Sequence, residues 1–97
     1  MRFLFFKQRY VGPILRGEKR STLRAERRGL AVGDVVRACV GVSRPFADLE
    51  ITSVALREVA DFSEARRAEL LALYPGIERA WQVGFRLLRT IREEAPS

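Results

Sequence analysis

Five short strands and two short helices, in the order β-α-β-β-β-α-β, place this 97-residue chain in the α+β class. The expected architecture is a small, twisted, partly closed β-barrel of about five strands with the two helices packed on its rim. Three observations predict it. Apolar residues alternate in short runs, as they do in half-buried strands. Helical patterning is confined to two segments, each closed by a glycine. The middle three strands are joined by connections too short to hold crossover helices, which argues against a doubly wound parallel sheet.

The elements follow in order. Residues 2–7 are apolar on both faces and predict a strand central in the sheet. Tyr10 to Gly17 predicts a short helix that tolerates Pro13 only in its first turn and is capped by Gly17. Ser21 to Glu26 predicts a short, highly charged strand. Gly33-Asp34 is a turn into Val35–Val42, where Val36, Ala38, Val40 and Val42 share a face. Ser43-Arg44-Pro45 breaks that strand, and Leu49–Leu56 forms the next. Asp61 and Glu64 have capping-box spacing for a helix over Ser63–Leu73, which Tyr74-Pro75-Gly76 ends. Trp81, Val83, Phe85 and Leu87 then alternate along a closing strand. Phe3, Phe5 and Phe6 are assigned to the core; Trp81 is assigned there too by its alternation with Val83 and Phe85, with stacking on a nucleic-acid base as the alternative. Residues 1–97 read as one domain, with a frayed tail from about 91 to 97.

Composition narrows the chemistry. The chain carries 18 Lys plus Arg against 12 Asp plus Glu, one Cys and no His. A single cysteine excludes an internal disulfide and a thiolate metal cluster, and the lack of histidine removes the commonest general base and metal ligand. The longest uncharged stretch, Leu70 to Ile77, falls far short of the roughly 20 residues of a membrane helix. Phe3-Leu4-Phe5-Phe6 is cut off by Lys7 before it reaches signal-peptide length, so a cytoplasmic location is expected. The excess charge sits in residues 1–28, which hold nine bases and two acids. A polyanionic partner, such as a nucleotide or RNA, explains that asymmetry; an arginine-rich composition alone would scatter it.

The chemically suggestive segment is Gly17-Glu18-Lys19-Arg20-Ser21-Thr22-Leu23-Arg24, running from a helix end into a strand. Lys19 is one of only two lysines beside 16 arginines. An amine that must lose a proton cannot be exchanged for a guanidinium. Crowded by Arg20 and Arg24, Lys19 can have a lowered pKa and accept a proton from Thr22, with Arg24 holding the developing negative charge. The competing reading is a glycine cap followed by an edge strand with solvated cations. Arg27 and Arg28 either extend the basic patch or form a solvated loop pair. Cys39 lies mid-strand, either as a small packed residue or as a semi-exposed thiol.

Gly17, Lys19, Thr22 and Arg24 match the Gly-x-Lys-x-x-Thr-x-Arg signature of ASCH domains, relatives of the PUA RNA-binding domain. An apolar strand and short helix precede the signature, Gly33-Asp34 follows it, and Tyr74-Pro75-Gly76 precedes a closing aromatic strand. The resemblance runs from about Phe3 to Leu88 and is strongest to the short bacterial members that hydrolyse N4-acetylcytidine. It implies a PUA-like β-barrel and an amidohydrolase in which Thr22 is the nucleophile, Lys19 its base and a glutamate the third member. Glu69 is the residue aligned with that glutamate, and Glu58 and Glu64 are substitutes. Gly17, Arg20, Arg24 and Tyr10 are the substrate-binding residues expected around them. The expected partner is a modified cytidine nucleoside or RNA, with no metal or organic cofactor. Other ASCH proteins imply the alternatives: a non-catalytic RNA-binding module or an RNA-cleaving protein.

Overall fold

The structure, a computed structural model, describes residues 2–41 and 44–91. Its strands are β1 (Arg2–Phe6), β2 (Ser21–Arg24), β3 (Val35–Val40), β4 (Arg44–Glu58) and β5 (Arg79–Thr90). Helix α1 (Val11–Leu15) follows a 3-10 turn at Gln8–Tyr10, and α2 (Glu64–Leu73) follows another at Val59–Asp61. They form one five-stranded mixed sheet in the order β1-β3-β4-β5-β2, curled into a half-barrel. β1 runs parallel to β3, and every other pair is antiparallel. The predicted element order and the α+β half-barrel are therefore present.

Burial follows from the curl. Leu4, Phe6, Val36, Ala38, Leu49, Ile51, Val83 and Phe85 fill the barrel with Ile14 of α1 and Leu30 of the β2–β3 loop. Phe6 stands among aromatic neighbours, meeting Phe46 and Phe85 edge-on at 6.2 and 5.9 Å between centroids. A smaller cluster of Val59, Leu70 and Ala80, joined by Leu23, seats α2.

Several sequence expectations are corrected. β1 is an edge strand, not a central one, and it alternates after all: Leu4 and Phe6 point inward, while Phe3 and Phe5 are 53% and 46% exposed. Only Phe6 of the three phenylalanines is core. Pro45 does not break the chain between strands but lies inside β4, which is almost twice as long as expected. A bulge explains the tolerance: Ala38 faces Ala47 and Cys39 faces Pro45, leaving Phe46 as the extra residue where the ladder is already interrupted. Cys39 is buried beside this bulge, and burial pushes its thiol pKa up, so it is a packed residue. Helix α2 is capped by Ser63, whose hydroxyl accepts from the Arg66 N–H, while Asp61 belongs to the preceding turn. Trp81 is half-buried outside both clusters and carries the Arg27 guanidinium 5.4 Å from its ring centroid. Val42, Ser43 and residues 92–97, most of the expected tail, lie outside the described residues. Ile91 is still tied in, its N–H donating to the Phe46 carbonyl at 2.9 Å. No helix among the described residues is long and apolar enough to cross a membrane.

One carboxylate is built into the sheet. Asp48 of β4 is only 6% exposed and accepts from Arg37 at 3.1 Å and Arg89 at 2.6 Å. The Arg37 hydrogen bond, helped by Arg89, holds its carboxyl below the usual aspartate range. A lowered folded pKa adds stability above the unfolded value of about 3.9, and that stability is lost as pH falls toward the folded value. Asp48→Asn is expected to cost about 2 kcal/mol in urea unfolding at neutral pH, and its deficit should shrink as the pH is lowered through that range. Equal stability of the two proteins at neutral pH would show that the pair contributes nothing.

Candidate functional site

The loop that carries Lys19 is held from both ends. Gly17 adopts a left-handed φ of +74° after α1 and donates to the Ile14 carbonyl. The Pro13 carbonyl then accepts from the N–H groups of both Glu18 (2.9 Å) and Lys19 (3.2 Å). Two residues on, the chain enters β2, where Thr22 pairs with Val83 and Arg24 with Trp81 of β5. Leu23 packs toward α2, so Thr22 and Arg24 share the opposite face of the strand.

Arg24 crosses the opening of the barrel. Its Nη2 donates to the Phe5 carbonyl at 2.7 Å, and its guanidinium carbon lies 5.1 Å from the centroid of the Phe6 ring. One side chain thereby ties the β2 edge of the sheet to the β1 edge. Arg24 Nε is buried and has no hydrogen-bond partner among the described residues. Burial lowers the guanidinium pKa from its ordinary value, but the group remains a cation.

Lys19 is half-buried, and its Nζ lies 4.6 Å from the centroid of the Tyr10 ring. Arg9 also lies over that ring, at 4.8 Å, and donates to the Tyr10 hydroxyl at 2.8 Å. Loss of water lowers the Lys19 pKa; Arg66, Arg24 and Arg9 lower it further, and Glu69 opposes them. Lys19 makes no ion pair among the described residues.

The three carboxylates named from the sequence separate here. Glu69, exposed on α2, is the one whose charge reaches Lys19. Glu58 is committed to Arg79 at 2.9 Å, and Glu64 starts α2. Tyr10, Lys19, Arg24 and Glu69 thus belong to one neighbourhood, and Thr22 shares Arg24's face of β2. Arg20 turns away: it is exposed and donates to the Gly17 carbonyl at 3.0 Å. With Gly17 and Lys19 it lines an outer cleft of about 660 Å³, together with Ser53, Arg57 and Gln82. The floor of that cleft is Gly84, where a Cβ would collide with Ser53 Oγ.

No family model and no curated protein matches the sequence. Solved structures do match. The ASCH protein of Zymomonas mobilis is 14% identical at a TM-score of 0.68, over 92% of this chain and 71% of that one. The ASCH domain of Lactobacillus crispatus is 21% identical at 0.65, over 89% and 79%. An Enterococcus faecalis protein from the family DUF984 is 15% identical at 0.72, over 93% and 77%. The chain has the ASCH-domain fold. Within that fold, the Gly-x-Lys-x-x-Thr-x-Arg segment runs from the end of α1 into strand β2, where its residues were read from the sequence.

Sequence reasoning missed Arg9 and Arg66, whose charges act on Lys19 in this ASCH fold, and Tyr74, which lines the same surface cleft as Arg24. One signal was available for Arg66: it lies three residues before Glu69, on the same face of a helix. Arg57 and Ser53 gave none, because the register shift between Ile51 and Ser53 that places them leaves no trace in local periodicity. Arg24→Ala removes the tie between the two sheet edges. Its expected cost is about 2 kcal/mol in urea unfolding, and Arg24→Lys should recover only part of it, since an ammonium lacks the planar fork. Wild-type stability in Arg24→Ala would rule out the tie as a structural element.

Proposed function

We propose that the protein hydrolyses the amide on the exocyclic amine of an acylated cytidine nucleoside, N4-acetylcytidine being the reference substrate. The observation that carries this reading is the setting of Lys19. It is a half-buried amine acted on by the charges of Arg66, Arg24 and Arg9, with Glu69 opposing them, on the segment that leads to Thr22. Those conditions favour the neutral amine that a general base requires.

In this scheme Lys19 takes the proton from the Thr22 hydroxyl, and the hydroxyl oxygen attacks the amide carbonyl. Arg24 steadies the resulting oxyanion through its positive charge. Glu69 assists protonation of the departing cytidine amine. Water then cleaves the acyl-threonine ester, releasing the acid and restoring Thr22. Tyr10 positions Lys19 through its ring face. The residues in play are an amine, a hydroxyl, a guanidinium and a carboxylate, and the scheme draws on no metal or organic cofactor.

A second reading, a non-catalytic RNA-binding module or an RNA-cleaving protein, is favoured by the outer cleft. There Lys19, Arg20 and Arg57 line an open surface with Gln82.

The test is incubation with N4-acetylcytidine, following cytidine by chromatography. Lys19→Arg and Thr22→Ala should each lower kcat by at least about a hundredfold, with little change in KM. Glu69→Gln should lower it substantially, whereas Glu58→Gln should not. Wild-type kcat/KM should rise with pH and level off at a midpoint below the ordinary lysine value of about 10.4. Normal turnover by Lys19→Arg would sink the lysine base. The absence of cytidine release by wild type, together with salt-dependent RNA binding, would favour the second reading.

A further inference from the structure

A second cleft opens on the other side of Arg24. It has a volume of about 480 Å³ and lies between β1 and the loop after β2, with Tyr74 at one end. Its walls combine two chemistries. Phe3 and Phe5 stand outward from the edge strand as near-parallel rings, with centroids 6.5 Å apart and planes 19° from each other. They are about half exposed, where the alternation of β1 would lead one to expect polar residues. Around them lie Arg2, Arg24, Arg27 and Arg28, against a single carboxylate, Glu26.

The four cations are not equally occupied. Arg27 donates to the Leu30 carbonyl and covers Trp81. Arg2 donates to the Arg28 carbonyl, an arrangement that holds the loop against β1. Arg28 is almost free: its contact to Glu26 is 3.6 Å long, with the two side chains 82% and 75% exposed. Arg24 has its buried Nε unpartnered. A buried donor without an acceptor costs free energy that a ligand oxygen returns. An exposed aromatic pair rimmed by guanidinium groups suits a ligand with a flat ring and a phosphate.

We infer that this cleft is a binding subsite for a phosphate-bearing nucleoside, so that the preferred ligand is a nucleotide unit rather than a free nucleoside. The base or sugar lies against Phe3 and Phe5, and the phosphate is taken by Arg28 at the mouth. Arg24, which lines this cleft, is also the cation assigned to the reacting group in the deacylation reading. The position of that reacting group rests on the deacylation reading; the occupancy of the cleft does not. The phosphate has two possible sources, a terminal monoester or the diester of a neighbouring nucleotide in a strand.

Equilibrium binding separates these points without requiring turnover. Cytidine, cytidine 5′-monophosphate and a cytidine dinucleotide are titrated into wild type, Arg28→Asn and the double variant Phe3→Ala/Phe5→Ala. Asparagine is chosen because Arg28 holds a left-handed φ of +52°, which asparagine tolerates. The phosphorylated ligands should bind wild type at least about tenfold more tightly than cytidine at low salt. That preference should fall to within about threefold in Arg28→Asn. The double variant should weaken both phosphorylated ligands about fivefold or more while retaining a folded circular-dichroism spectrum. Tighter binding of the dinucleotide than of the monophosphate would identify a strand as the source, and the reverse would identify a terminal phosphate. Equal affinity for cytidine and its monophosphate, or a preference unchanged in both variants, would overturn the inference. If binding follows the expectation while N4-acetylcytidine is never hydrolysed, the subsite stands and the deacylation reading falls.

Discussion

The half-barrel depends on one guanidinium. A five-stranded sheet that ends in β1 on one side and β2 on the other has two open edges, and open edges invite wrong pairing. Arg24 brings the two edges together by giving a hydrogen bond to the Phe5 carbonyl and laying its plane near Phe6. Phe6 in turn anchors the aromatic contacts with Phe46 and Phe85. The same residue thus closes the fold at its surface and touches its core. Lysine, a point charge on a flexible stem, would fill neither role as well.

Closure by a cation has electrostatic consequences. Arg24 contributes to the positive field at Lys19, as do Arg9 and Arg66 from two other elements. Crowding of this kind works against a stable ammonium and is not offset by a direct ion pair. Only Glu69, held across a gap on α2, pulls the other way. Burial and this crowding both hold the Lys19 pKa below its ordinary value.

The irregularities of the long strands matter as much as their regular parts. The bulge at Phe46 admits Pro45 into β4 and draws Cys39 into the interior. The second shift, near Thr52, brings Ser53 against Gly84 and opens the outer cleft. Each bulge changes which side of the sheet the following residues face. The two clefts flanking the motif are therefore products of the sheet's curl and its interruptions as well as of the spacing inside the motif.

By itself, the sequence determined the local structure. Short apolar, charged or alternating runs between turn residues specified five strands, and left-handed Gly17 and Gly76 followed the two helices. The one suggestive run from Gly17 to Arg24 put an amine, a hydroxyl and a guanidinium within eight residues, because those features depend on near neighbours alone. What only the tertiary structure decided was sheet order and everything that follows from it. β1 reads as buried because Phe3 and Phe5 are apolar, yet strand order leaves it at an edge with those rings facing outward. Among Glu58, Glu64 and Glu69, nothing local distinguishes the carboxylates; with α2 seated through Leu70, Glu69 is the one whose charge acts on Lys19, while Glu58 pairs with Arg79. Periodicity reports which residues avoid water, but not which distant strand will cover them, and the candidate site is made of such long-range contacts.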